Sequence, residues 1–455
     1  MVGSIRSKSI KQAKSPVLDR VYIAILLVVF GGIVLQGPIS VGLGTLWPHY
    51  DLLIKSWKEI LLLVAGLLSL VLLRRKGQYG ILRQPLMLFI AVYALLHVVL
   101  AVAMWHGTQA TLAGLMIDLR YILFFGLVYI AISLYPDLKR QFLLTFMVGG
   151  IVVVTFAMLQ VFILPADILS YIGYGKTTIE PYLTVDLNQS YIRINSTLRG
   201  PNPLGAYAVI ILTFITAAYL KRKIPPITKS RIMAAILLVG GAVALWASYS
   251  RSAVIAGVVG IGIVAVVSLS SKISRRTWII GSVVLFGLVG GLALNSRSNF
   301  VSNVILHDNP SSTSSTKSDA GHINSLQDGI ALAAANPLGS GVGSTGSASL
   351  YTKQPLIIEN QYLLIAHEVG WLGLGLFAVI YVAVMIELWR RRNSYAALGV
   401  FASGVGMGII GILLPVWVDD TVSIIWWGLA AVAIGSLRMA GGRWNMLNRK
   451  KVAND

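Results

Sequence analysis

Long apolar stretches separated by short polar ones run the length of the chain. Crossing a hydrocarbon layer ~30 Å thick as a helix takes roughly 20 residues. Twelve stretches approach or reach that length: 21–37, 58–73, 85–104, 111–134, 142–164, 204–220, 232–249, 252–270, 278–294, 362–388, 396–416 and 421–437. None gathers its polar positions into one clear stripe, as expected for helices that meet lipid on one side and other helices on the other. The pattern predicts an all-α polytopic membrane protein of about twelve transmembrane helices. Its parts are a basic N-terminal segment (1–20), nine spans (21–294) with an outer loop at 165–203, a large extracytoplasmic loop (295–361) between spans nine and ten, three further spans (362–437), and a basic tail (438–455).

Composition agrees. Hydrophobic residues make up 56% of the 455 and charged residues 12%, about half of the quarter that soluble domains carry. The absence of cysteine excludes thiol catalysis, iron–sulfur clusters and cysteine zinc sites. A formal net charge of +20 would point a soluble protein toward nucleic acid, but here the placement of the cations carries the meaning. Arg6, Lys8, Lys11, Lys14 and Arg20 precede the first span. Alternate loops then hold Arg74, Arg75, Lys76 and Arg83; Lys139 and Arg140; Lys221, Arg222, Lys223, Lys229 and Arg231; Lys272, Arg275 and Arg276; and Arg390, Arg391 and Arg392. Arg438, Arg443, Arg449, Lys450 and Lys451 follow the last span. That is the positive-inside pattern. It predicts a multi-pass protein of the cytoplasmic membrane with both termini cytoplasmic, its basic side against anionic lipid and no nucleic-acid partner. The first span has a long polar leader and no small-x-small site after it, so it reads as an uncleaved anchor.

The outer face holds the candidate chemistry. In the large loop, Ser311 to Thr316 is a low-complexity mobile tip. His322 to Ala335 has apolar spacing suited to a helix on the membrane or over a cavity. Asn336-Pro337 ends that helix, and Gly339, Gly341, Gly343 and Gly346 make a flexible loop. The loop is too short and polar for a core of its own.

Three outer constellations stand out: Arg193 to Pro203 before span six, Ser250-Arg251-Ser252 between spans seven and eight, and Glu359-Asn360-Gln361 leading into span ten with Glu368, Gly370 and Gly373. Arg193, Arg199 and Arg251 lie on the side where cations are disfavoured. Each alone reads as a head-group anchor or helix cap. Together they make an anion clamp, because guanidinium offers forked donors matched to phosphate oxygens, and the Gly200-Pro201-Asn202 turn lets backbone N–H groups approach an anion. A diphosphate at the outer leaflet fits that clamp. Glu359 is either a general base at the bundle mouth or a carboxylate favoured by a helix N-terminus. His322 is a second base or a hydrogen-bond donor to substrate, against a solvated loop histidine. His307 and His367 read as structural, and His97 as a helix–helix hydrogen bond. Asp118 and Arg120 read as satisfying one another or solvent, although a charged pair there is by default also a functional suspect. Asp419-Asp420 is a weak cation candidate with no other carboxylates beside it. With no P-loop, HExxH or nucleotide fingerprint, no metal and no cofactor is expected.

These outer motifs resemble the O-antigen ligase and O-antigen polymerase family, GT-C-type membrane glycosyltransferases that use polyprenyl-diphosphate-linked glycans. Arg193-x-x-Ser-Thr-x-x-Gly-Pro-Asn is similar to its arginine segment, and Ser250-Arg251-x-x-x-Ile255 to its Arg-x-x-x-Leu motif with Ile in the Leu place. Asn336-Pro337-Leu338-Gly339-x-Gly341-x-Gly343 resembles its loop glycine segment. Asn360 with Gly370-x-x-Gly373 matches its His-Asn-x9-Gly-x-x-Gly motif, with Glu359 where the ligases have His. The resemblance covers about residues 190–390. It implies a GT-C-like fold and inverting, metal-independent transfer from undecaprenyl diphosphate to a glycan, lipid or cell-wall acceptor. Arg193, Arg199 and Arg251 would hold the diphosphate, Glu359 or His322 would act as base, and Asn360, Gly370 and Gly373 would shape the site. Ligase and polymerase both fit. A flippase would show paired half-repeats with broken helices, and none is evident; a non-catalytic scaffold would not need the outer arginines.

Overall fold

A computed structural model of the chain describes residues 17–185, 188–222, 231–270 and 318–435. The expected ninth span (278–294), His307, the Ser311 to Thr316 tip and the basic segments at either end lie outside the described residues. Helix α1 (Val17–Gly32) continues through one 3-10 turn into α2 (Gln36–Leu46), and α3 (Asp51–Lys55) leads into α4 (Trp57–Lys76). Next come α5 (Pro85–Ala103), α6 (Thr108–Leu134) and α7 (Leu138–Phe162). A hairpin of β1 (Tyr182–Val185) and β2 (Asn188–Ile194) precedes α8 (Pro201–Leu220), α9 (Arg231–Ala247) and α10 (Arg251–Leu269). After the undescribed stretch the chain forms α11 (Ser318–Ala335), the single turn α12 (Gly346–Ser349), α13 (Gln361–Arg390), α14 (Tyr395–Leu413) and α15 (Asp420–Ile434).

Among the described residues, eight helical runs are long and apolar enough to cross a membrane, nine if the segments Pro48–Lys55 and Trp57–Lys76, bent by 43°, count as one. Ile232–Ala247 and Asp420–Ile434 are shorter apolar helices. These occupy the eleven positions outside 278–294 where the hydropathy pattern expects spans. The chain is a multi-pass, all-α membrane protein, with one departure. The outer loop at 165–203 carries a short antiparallel hairpin, in which Ile192, Arg193 and Ile194 pair across to Thr184, Leu183 and Tyr182.

Local sequence sets the helix ends. Gly77, at φ +63°, closes α4 in the left-handed conformation behind Arg74, Arg75 and Lys76, whose charges suit a helix C-terminus. Pro85 and Pro201 start α5 and α8 at the position where a missing N–H costs nothing. Burial sorts the helices: 78% of the apolar window in α8 is buried against 28% in α5, so α8 lies central while α5 turns Leu95, Val99 and Val102 outward as a lipid-facing band. The fifteen-residue α15 is among the most enclosed elements. Trp426 and Trp427 pack edge-to-face at 5.1 Å, Trp417 packs at an angle against both, and the Trp426 indole N–H donates to Val400 O at 3.1 Å. That aromatic knot locks α15 to α13 and α14.

The bundle has two unlike ends. Lys76 pairs with Asp19 at 3.2 Å and lies over the Tyr135 ring, while Arg391 reaches Ala433 O. This gathers the cations that close α4 and α13 at one end. The starts of α4, α6, α8, α10, α13 and α15 lie at the other.

Candidate functional site

The second end is organised by the segment after β2. Ser196, at φ +51°, is fully buried; its N–H donates to Gln160 Oε1 at 2.8 Å and its hydroxyl to Val153 O at 2.7 Å. Asn195 donates to Glu180 O, and Leu198 is 0% exposed. A strained turn nailed to α7 in this way delivers Arg199 to the surface with little freedom in its backbone. Arg193 donates through Nε to Ser248 O at 2.9 Å and through Nη2 to Asn202 Oδ1 at 2.6 Å. Gly205 lets the start of α8 close on residues 248–253, since a Cβ there would stand 2.8 Å from both Ser248 Oγ and Ala253 Cβ. Arg193, Asn202 and Ser248 are therefore one hydrogen-bonded unit, with Arg251 three residues past Ser248 as the first residue of α10. Gly200 is extended, and the Asn202 side-chain oxygen accepts from Arg193, so the 200–202 turn carries a side-chain junction.

A cavity of about 270 Å³ opens beside that junction. Arg199, Asn202, Pro203 and Ala206 form one wall, Ile410, Leu414, Pro415, Val416, Val418 and Asp419 the opposite wall, and Ser347 its edge. Asp419 caps α15: Oδ1 accepts the Val422 N–H at 2.9 Å. Burial and the adjacent Asp420 carboxylate push the Asp419 carboxyl up to about 6, against the opposing pull of that cap hydrogen bond, Arg199 and Arg120.

Beneath the cavity lies a charge cluster that the hydropathy pattern hides. Lys58 meets Asp420 at 3.1 Å and Glu59 at 3.2 Å, and Arg120 meets Glu59 at 3.6 Å and donates to Val418 O. All four side chains are about a tenth exposed or less. Asp118 and Arg120 do not pair with one another as expected: two residues apart on a helix they point about 200° away from each other, Arg120 against Glu59 of α4 and Asp118 against Glu368 of α13. Asp420 has carboxylate company in Glu59, but Lys58 already neutralises it; among the described residues no group of three metal-ligating side chains is found. A buried charge that loses its partner is costly, roughly 3–5 kcal/mol. Lys58→Met is therefore expected to lower the thermal midpoint of the detergent-purified protein sharply, and Lys58→Met with Asp420→Asn to recover part of the loss. Equal midpoints for wild type and the single variant would contradict the pairing.

The glycine segment of the large loop is a strap rather than a flexible loop. Helix α13 breaks at Val369 and Gly370, the latter at φ +70°. The break frees the His367 and Glu368 carbonyls, which accept the N–H groups of Ser340 (2.6 Å) and Gly341 (3.0 Å), while Trp371 N–H donates to Pro337 O. The Glu368 carboxylate accepts Gly343 N–H at 3.0 Å and Thr345 N–H at 3.4 Å. A Cβ on Gly370 would lie 2.6 Å from Pro337 O, and one on Gly373 2.2 Å from the Val369 side chain. Both motif glycines are thus close-approach positions of the kink. The strap ends in Ser347 at the cavity edge.

Asn360 caps α13 by accepting Tyr362 N–H and Leu363 N–H, and its Nδ2 donates to Ile412 O at 2.7 Å. Gln361 accepts Trp417 N–H. The two hold the cavity's far wall in place. Glu359 precedes that cap, half-buried, and is not among the cavity-lining residues. The position of His322 falls on α11, which begins and ends close to the predicted bounds, but its side chain lies outside the described residues. His97 differs from expectation: its ring bonds Tyr93 O, one turn earlier in its own helix, at 2.9 Å and packs on the Tyr93 ring. His367 is buried in the bundle as expected.

Residues 233–378, which contain Arg251, the strap and the α13 kink, match a family model described as O-antigen ligase. That match supports the resemblance to the O-antigen ligase family. Members of that family are membrane glycosyltransferases of ligase or polymerase type, which supports a multi-pass membrane enzyme of that general class here. Partners of the family are lipid-linked glycans and polysaccharide acceptors. No curated protein matches the sequence. The arginine segment at 193–199 and the acidic pair at 419–420 lie outside the matched region.

Proposed function

We propose that this protein transfers a glycan from undecaprenyl diphosphate to an acceptor hydroxyl at the outer face of the cytoplasmic membrane. The observation that carries the reading is the cavity lined by Arg199 and Asn202, with Arg193 bonded to Asn202, at the end of the bundle opposite the clustered cations. By the positive-inside rule that end faces away from the cytoplasm, with both termini on the cytoplasmic side. Arg199, supported by Arg193 and Arg251, meets the charge that develops on the departing diphosphate, the electrostatic term that dominates such transfers. The acceptor oxygen attacks the anomeric carbon from the face opposite the diphosphate, so configuration inverts, and no metal is needed. For the base the sequence offers Glu359, in the place of the family's His, and His322. Ligase and polymerase share this chemistry and differ in the acceptor alone.

Arg251→Ala is expected to abolish transfer from a lipid-linked donor in proteoliposomes while leaving membrane insertion intact. Arg251→Lys should recover only part, because an ammonium lacks the bidentate fork. Wild-type transfer by Arg251→Ala would refute the clamp.

A further inference from the structure

Within the transferase reading just given, we infer that Asp419 is the general base that deprotonates the acceptor hydroxyl. Three features converge on it. It lines the same cavity as Arg199, so a donor whose diphosphate meets Arg199 brings its anomeric carbon within reach of the Asp419 wall. Its two oxygens are unequally used: Oδ1 accepts the Val422 N–H, whereas Oδ2 takes no hydrogen bond from any described residue. Its neighbour Asp420 is turned the other way, onto Lys58, so adjacent carboxylates hold different roles.

The electrostatic setting suits a base. The charged groups around Asp419 are Asp420 from its own helix, Arg199 before α8, Arg120 from α6, and Lys58 with Glu59 from α4. Their balance, with burial, leaves the carboxyl at about 6 rather than in the ordinary carboxylate range. A base of that strength is ionised at neutral pH yet accepts a proton more readily than an exposed aspartate. In the transfer step Asp419 Oδ2 takes the acceptor O–H proton as the acceptor oxygen bonds to the anomeric carbon. The bond from that carbon to the diphosphate oxygen breaks, and its electron pair leaves with undecaprenyl diphosphate beside Arg199.

The sign of the pH dependence follows. Asp419 must be ionised to act, so kcat/KM falls as pH drops through about 6. A bound diphosphate adds negative charge nearby, so the corresponding limb in kcat lies at higher pH.

The test uses the full chain in proteoliposomes, with undecaprenyl-diphosphate-linked glycan from its native host as donor and host membrane glycolipid as acceptor. Asp419→Asn keeps the helix cap, since Asn caps as well as Asp, and should fold. Transfer should slow by roughly 10²–10⁴-fold, the span for a lost general base, and Asp419→Glu should restore part. Binding of undecaprenyl diphosphate, read by tryptophan fluorescence from Trp417 beside the cavity, should be unchanged. The acid limb should vanish from the residual rate of Asp419→Asn and persist in Glu359→Gln and His322→Ala, whatever rate those variants keep. Near-wild-type transfer by Asp419→Asn, or an acid limb lost in Glu359→Gln or His322→Ala instead, overturns the assignment and leaves Asp419 as a helix cap. A wild-type protein that neither transfers glycan nor binds undecaprenyl diphosphate overturns the transferase reading itself.

Discussion

Arg199→Ala is expected to cut glycan transfer by roughly 10²–10³-fold, the loss seen when one donor to a developing oxyanion is removed. Arg199 is exposed and lines the cavity, so its truncation removes little packing. The fold is held elsewhere, by the buried turn at Ser196 and Leu198. The thermal midpoint should therefore stay near wild type while turnover and undecaprenyl diphosphate binding collapse together. A second signature separates this from general damage. Arg199 pulls the Asp419 carboxyl down, so in Arg199→Ala the acid limb of the residual activity should move to higher pH, whereas Arg199→Lys should leave it near its wild-type place. Full activity in Arg199→Ala, or an acid limb displaced to lower pH, would contradict the arrangement.

Gly343→Ala should disable the enzyme through the strap. Gly343 sits at φ +84°, and a Cβ there would stand 2.4 Å from Ala110 O of α6, a backbone atom that cannot step aside. The left-handed conformation alone costs a non-glycine residue roughly 1–2 kcal/mol, and the displaced N–H would leave the buried Glu368 carboxylate short of a donor. The expected result is a loss of folded protein in detergent and, in what survives, at least a tenfold loss of transfer, because Ser347 at the strap's end forms the cavity edge. Gly66→Ala is the control. Nothing lies within 4 Å of a Cβ at that position in α4, and replacing a helical glycine gains roughly 1 kcal/mol. Thermal unfolding of the two variants side by side checks the contrast; equal effects would mean the strap is not seated as described.

The sequence could show the strap's residues but not its seating. Gly339, Gly341 and Gly343 look like loop glycines because glycine is common wherever a chain turns. That they adopt positive φ against Glu368 O, Met104 and Ala110 O follows from the meeting of α6 with the kink in α13, a contact between segments more than 200 residues apart. The same holds for His97, which an apolar window marks as an oddity without saying whether its partner is another helix or its own previous turn.

What the sequence determined alone was the multi-pass membrane architecture and the alternating placement of the cations between apolar runs. Apolar length and cation placement are local quantities set by the thickness of the bilayer and the cost of charge within it, so they can be summed along the chain without knowing any neighbour. The order of the arginine, glycine and Asn360 motifs was legible for the same reason. Only the tertiary structure decided which charges meet. Lys58 and Glu59 lie at the edge of an apolar window, Asp118 and Arg120 about two turns inside another, and Asp419 and Asp420 adjoin. Whether each is a partner, a cap or a free cavity carboxylate depends on which helices pack side by side. An ion pair is fixed by distance in space, so α4, α6 and α15 had to be brought together before Asp420 could be assigned to Lys58 and Asp419 left facing Arg199 across the cavity.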